Sequence, residues 1–285
     1  MASRTDTVAA ADGTPLLVRS WPVAGEPWAV VLLVHGLSEH SGRYEHVGEW
    51  LSAAGLEVHA YDQRGFGASG GRRGDVRSWR LLLDDLAGRL GAVRRAGVPL
   101  VLYGHSMGGL LCAEYAESER PQPDLLVLSS PGLDSGHPTW LRWAAAVLGR
   151  LLPWVSVSGG DNFSVLSRDP AVGAAFREDP LVVNRQTFRF GREAFAAQAR
   201  TRRGSARLHV PTLVLHGSGD WLVPPSASEA LGRLPGVARR VYPGLRHELH
   251  NEPEGRAIVA DVVAWLRAQL AADAGQMPNA REAGP

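Results

Sequence analysis

The chain has 285 residues, 45% hydrophobic and 21% charged, and its 30 basic and 29 acidic side chains leave a formal net charge of +1. Those proportions fit an ordinary globular protein with a large core and exclude a disordered or fibrous chain. So even a charge balance leaves no broad basic surface for phosphates, and nucleic acid is not expected as a partner. Every basic residue is Arg and Lys is absent, which excludes Schiff-base and amine catalysis. The Ala, Arg and Gly surplus reads as the coding bias of a GC-rich bacterial genome.

In chain order, residues 1–14 are small and polar and show no secretory signal. No run approaches the ~18 apolar residues of a membrane span. A cytoplasmic location is therefore expected, with peripheral membrane association as the only contact with lipid bilayers. Residues 16–21 read as an antiparallel edge strand. Short aliphatic runs at 29–34, 57–61, 99–103, 125–128, 212–215 and 239–242 read as six buried strands. Most are followed by helical periodicity, as in a mostly parallel sheet flanked by helices. The expected class is α/β. Residues 131–206 interrupt the pattern with Trp, Arg, Pro and helix-compatible segments, and no buried strand is expected there. They read as a helical cap, or lid, inserted into a core formed by 1–130 and 207–272, above the strand ends where ligands of such sheets bind. Ile258, Val262, Val263, Leu266 and Leu270 mark a closing amphipathic helix, and 273–285 reads as a disordered tail. The single Cys112 lies in an apolar helical stretch and reads as packing.

The sequence Gly104-His105-Ser106-Met107-Gly108 follows a strand and precedes a helix. A serine in so tight a strand-to-helix turn crowds its surroundings, so the positions two before and two after must lack side chains, as Gly104 and Gly108 do. The turn places the Ser106 hydroxyl at a helix N-terminus, where free N–H groups and the helix dipole can stabilise an oxyanion. A serine nucleophile needs a base, and the base needs an orienting acid, following in the order acid then histidine. Asp220, just past the 212–215 strand, is the candidate acid. His247 and His250, past the last strand, are both candidate bases, and spacing alone separates them weakly. The second oxyanion donor is expected in the loop His35-Gly36-Leu37-Ser38-Glu39-His40, which assigns the backbone N–H groups of Leu37 and Met107 to the hole.

On these motifs the chain resembles the α/β-hydrolase fold and, within it, the monoacylglycerol lipase (serine aminopeptidase S33-like) family. The motifs are the elbow, His35-Gly36-Leu37-Ser38-Glu39-His40-Ser41-Gly42-Arg43-Tyr44, Asp62-Gln63-Arg64-Gly65-Phe66-Gly67, residues 217–220 and residues 242–252. Many relatives read Asp-His-Arg-Gly-His-Gly at the 62–67 motif, so Gln63 and Phe66 depart from the pattern. The resemblance implies Ser106, Asp220 and His247 as the triad, and Glu39, Arg43 and His250 near the glycerol end of the site. A loop-stabilising charge pair is an equal reading of Glu39 and Arg43. The implied reaction is hydrolysis of a monoacylglycerol or similar small lipid ester, with no metal and no organic cofactor. A lysophospholipase, peptidase, carboxylesterase or thioesterase is the rival enzyme, and a weakly catalytic binding protein of the same fold is the rival from another class. Trp140, Trp143 and Leu148 read as a lid helix in transient contact with a membrane or micelle. The chain says nothing about oligomeric state.

Overall fold

The computed structural model describes residues 2–276. Its main sheet has eight strands in the order β1-β2-β4-β3-β5-β6-β9-β10. They are β1 (Arg4–Ala9), β2 (Pro15–Trp21), β3 (Ala29–Val34), β4 (Leu56–Tyr61), β5 (Leu100–His105), β6 (Leu125–Ser129), β9 (Thr212–Gly217) and β10 (Val237–Tyr242). Only β1 with β2 and β2 with β4 pair antiparallel. Every residue of β3, β5, β6 and β9 is buried. Alternation within those continuous apolar runs therefore feeds two cores rather than one core and solvent. Val30, Leu32, Val34 and Leu102 pack with α2 (Trp79–Val93) and α3 (Met107–Ala116). Val31, Leu33, Tyr103 and Val127 pack with α1 (Glu45–Ala53) and α7 (Gly255–Gln276).

Three sequence expectations change. The strand at 16–21 is not an edge, because β1 pairs outside it from Pro15 to Ser20. β1 is almost entirely exposed and carries no apolar alternation to announce it. The last strand is not buried: β10 forms the other edge, with Arg239 and Arg240 in its middle and no buried residue. Finally, α7 runs to Gln276, beyond the expected boundary at 272, and the rest of the expected tail lies outside the described residues.

Residues 131–206 add no strand to the main sheet. They hold α4 (Thr139–Leu151), α5 (Pro170–Glu178), α6 (Phe188–Gly204) and a ribbon of β7 (Ser156–Ser158) and β8 (Arg185–Thr187), paired antiparallel. Three-residue strands are too short to show a period, so the ribbon was not legible in the sequence. Asp169 starts α5 by accepting from the Ala171 N–H, with Pro170 in the first turn, and Thr187 starts α6 by accepting from the Phe190 N–H. Several bonds tie this region to the core. Val183 N donates to Ser38 O (2.8 Å) and Thr187 N to Gly74 O (3.0 Å). The Thr187 hydroxyl donates to Asp75 (2.7 Å), and His40 Nε2 meets Asp179 Oδ2 at 2.8 Å.

Candidate active site

Ser106 sits between β5 and α3 with φ 51° and ψ −117°, a left-handed conformation that a serine adopts only when its surroundings impose it. The imposition is steric. A Cβ on Gly104 would lie 2.5 Å from the Gly108 carbonyl oxygen, and one on Gly108 would lie 2.3 Å from that of Val34. Any side chain at either position would force the helix off the sheet and open the turn that presents the hydroxyl.

His247 and Asp220 reach Ser106 because the loops after β9 and β10 are laced together. Ser218 N donates to Tyr242 O (2.9 Å), Gly219 N to Leu245 O (2.9 Å) and Gly244 N to the Ser218 hydroxyl (2.8 Å). The Ser106 hydroxyl lies 2.8 Å from His247 Nε2, and His247 Nδ1 donates to Asp220 Oδ2 at 2.7 Å. This direction of donation leaves Nε2 as the acceptor facing the serine. Asp220 Oδ1 accepts from the Leu222 and Val223 N–H groups at 2.9 and 3.0 Å. His216 Nε2 stands 3.3 Å from Oδ2. Burial works against the carboxylate's charge, yet hydrogen bonds from His216, His247 and Val223 hold it well below the usual carboxylate range.

Among the described residues, neither the Leu37 nor the Met107 N–H has a protein acceptor. Both residues line the cavity that holds Ser106 and His247. That cavity measures about 510 Å³, and its far wall comes from residues 131–206, including Leu141, Leu148, Phe163 and Phe176. Helix α4 divides its faces: Leu141, Ala144 and Leu148 look into the cavity, whereas Trp140 and Trp143 are 67% and 69% exposed. Leu148 is thus a wall residue and does not share the outward tryptophan face.

The three residues expected near the glycerol end separate. Glu39 lines the cavity, while Arg43 and His250 stand behind its wall. Arg43 Nη1 donates to Glu39 Oε2 (2.7 Å), and its two Nη groups donate to both Glu248 oxygens (2.7 and 2.8 Å). Burial opposes the charge on Glu248, but Arg43 prevails and holds that carboxyl far below its ordinary range. His250 is buried, stacks on Tyr44 with ring centroids 4.7 Å apart and, among the described residues, has no partner on either ring nitrogen. Burial first, then neighbouring His105, pushes its pKa well down. His105, packed 4.8 Å from the His247 ring, is pushed down to about 3, chiefly by burial. Both are neutral packing groups. The sequence did not single out His216 or Glu248 as parts of the site. His216 carries only the signal of a strand-end position, and Glu248 only its place beside His247. No group of three or more His, Cys, Asp or Glu side chains among the described residues is arranged to hold a metal ion.

A parallel sheet flanked by helices, with a strained serine at the end of a central strand and a histidine and an acid supplied by the last two strand ends, defines an α/β-hydrolase. The model of the serine aminopeptidase, S33 family matches residues 25–254, and the chain belongs to that family. It is 36% identical to a monoacylglycerol lipase of Mycolicibacterium smegmatis, over 90% of this chain and 95% of that protein. It is 34% identical to the human monoglyceride lipase, over 93% of this chain and 90% of that protein. Among solved structures, the monoacylglycerol lipase of Paleococcus ferrophilus superposes with a TM-score of 0.81 at 32% identity, covering 89% of this chain and 98% of that one.

Proposed function

We propose that this protein is a serine esterase that splits monoacylglycerols into a fatty acid and glycerol through an acyl-enzyme on Ser106. His247 Nε2 takes the hydroxyl proton as Ser106 Oγ attacks the ester carbonyl, and the Leu37 and Met107 N–H groups receive the oxyanion. Asp220 supports the imidazolium, which then protonates the departing glycerol oxygen. A water, deprotonated by His247, releases the fatty acid by the same steps. The observation that carries this reading is the 2.8 Å contact between Ser106 Oγ and His247 Nε2 at one end of an apolar cavity. Relatives named as monoacylglycerol lipases support the choice of substrate.

Residues 131–206 act in this reading as a cap whose inner face holds the acyl chain. The outward face of α4, with Trp140 and Trp143, rests transiently on a membrane or micelle and admits the lipid. No helix among the described residues is long and apolar enough to cross a membrane, so such contact is peripheral. Two experiments test the reading. A fluorophosphonate should label the protein, and Ser106→Ala should abolish labelling. A panel of mono-, di- and triacylglycerols, a lysophospholipid and an aminoacyl amide should give the highest kcat/KM for the monoacylglycerol. A lysophospholipid or an amide turned over faster would overturn the substrate assignment and leave the serine chemistry standing.

A further inference from the structure

The polar groups around Gly36 are tied in a way that the proposed reaction does not by itself require. Two peptide units join His35, Gly36 and Leu37, and together they offer two carbonyls and two N–H groups. The His35 carbonyl accepts from Gln63 Nε2 (2.7 Å). The Gly36 N–H donates to Glu39 Oε1 (2.6 Å). The Gly36 carbonyl lies 2.7 Å from His35 Nδ1. The Gln63 N–H donates to His35 Nε2 (2.9 Å), so that nitrogen is an acceptor and Nδ1 carries the proton given to the Gly36 carbonyl. Three of the four backbone groups are thus fixed by side chains, and the fourth, the Leu37 N–H, has no protein partner among the described residues. In a planar trans peptide the Leu37 N–H points opposite to the Gly36 carbonyl. Holding that carbonyl against His35 therefore aims the N–H away from His35.

From this geometry we infer that Glu39 is a positioning residue for the oxyanion hole, acting through the Gly36 N–H. The inference rests on the serine-esterase reading above. Glu39 has little capacity left for substrate. Oε1 also accepts from the Tyr44 hydroxyl (2.7 Å) and Oε2 from Arg43 Nη1 (2.7 Å), so three donors already occupy a carboxylate with about four sites. Its closeness to the nucleophile is real: a Cβ on Gly36 would lie 2.8 Å from Glu39 Oε1 and 3.1 Å from Ser106 Cβ. Arg43 extends the tie, because the same guanidinium grips Glu248, the residue after His247, and lies 4.7 Å from the Phe176 ring of α5. The oxyanion loop, the base loop and the cap thereby share one charged hub. Gln63 is a working part of the cradle, through its own N–H and its Nε2.

The test compares Glu39→Ala and Glu39→Gln on a monoacylglycerol and on the methyl ester of the same fatty acid. Gln keeps an acceptor for the Gly36 N–H, and Ala does not. Glu39→Ala should lose about 10²-fold in kcat on both esters, with KM moving less than about threefold. Glu39→Gln should recover both activities to within about tenfold of the parent. Affinity for a trifluoromethyl ketone bearing the same acyl chain, which mimics the tetrahedral state, should fall with kcat, a readout that mere loss of stability does not move. Should Ala unfold the chain, Glu39→Met carries the same comparison at nearly equal volume. A loss confined to the glyceryl ester would make Glu39 an alcohol contact and overturn the inference, as would an unchanged kcat in Glu39→Ala or a Gln variant no better than Ala. The parent enzyme separates the two layers: if it cleaves neither ester, the esterase reading falls and takes this inference with it.

Discussion

The loops around Ser106 and the outer helix α4 form opposite walls of one cavity, and they are built by opposite means. On the core side the carboxylates are crowded with donors: Asp220 takes two backbone N–H groups and two imidazoles, and Glu39 takes three donors. Helix α4 leaves two indoles in solvent and joins α6 through the Arg192 to Gly149 bond (3.2 Å). Chemistry demands reacting atoms held to within about half an ångström, because small misplacement costs large factors in rate. Admission of a flexible acyl chain needs an apolar wall that can give way, which a network of buried hydrogen bonds cannot do. The two regions should therefore answer differently to substitution.

The largest effect should come from the core side. Asp220→Asn keeps the shape but favours the wrong imidazole tautomer, and kcat should fall about 10³- to 10⁴-fold. His250→Phe keeps the stack on Tyr44 and should cost less than about tenfold. Equal losses would break the distinction between a relay residue and its packing. The acid limb of kcat/KM sharpens the same point. Asp220 is held well below the usual range by its hydrogen-bond donors, so it stays charged throughout the acid limb. Activity should therefore drop along a single-proton slope. A two-proton slope would mean that the carboxylate titrates with the base.

Next in size is the oxyanion loop. Leu37→Pro deletes the N–H and should lower kcat about 10²-fold, while Leu37→Ala keeps it and should cost little. If both variants fold and turn over equally, Leu37 is not part of the hole. On the outer wall, Trp140→Ser with Trp143→Ser should lower kcat/KM about tenfold on a long-chain emulsion and hardly at all on a soluble short-chain ester. Leu148→Ser, inside the cavity, should impair a long chain in solution as well. Equal effects of the outer pair on both substrates would remove the membrane role from α4.

These contrasts track what the sequence could and could not say. The central strands were legible because β3, β5, β6 and β9 are largely continuous aliphatic runs that lead into small residues or histidine. The elbow was legible because crowding leaves glycine as the only choice at 104 and 108. β1 escaped the sequence and β10 was read as a buried strand for a common cause: edge strands bury little, so their side chains carry no burial pattern. Strand ends nominate Ser106 and Asp220, and they offer His247 and His250 together until the family resemblance favours His247; the coordinates bring Ser106, Asp220 and His247 to bonding distance. The hub of Arg43, Glu39 and Glu248 spans about 200 positions of sequence, and no local period links its members. The sequence placed Arg43 and His250 at the glycerol end through family resemblance, and only burial and hydrogen bonding reveal that they stand behind the wall.

The smallest expected effect lies where the two regions rejoin. Glu117 follows α3, and a Cβ on Gly204, the last residue of α6, would lie 2.4 Å from its Oε2. Its Oε1 has no hydrogen-bond partner among the described residues. Burial pushes its pKa up to about 8, only partly opposed by Arg207. In the unfolded chain the same group titrates near 4.3, so between those values the folded state holds the extra proton. Stability from this group is complete below about pH 4 and declines as pH rises toward 8, with no further loss above. Glu117→Gln, always uncharged, should therefore match the parent near pH 4 and gain on it progressively as pH rises to 8. The gain should appear as a melting temperature a few degrees above the parent's at pH 8 and indistinguishable from it near pH 4. A gain near pH 4 as large as that at pH 8 would show that packing against Gly204, not the buried charge, sets the cost of this junction.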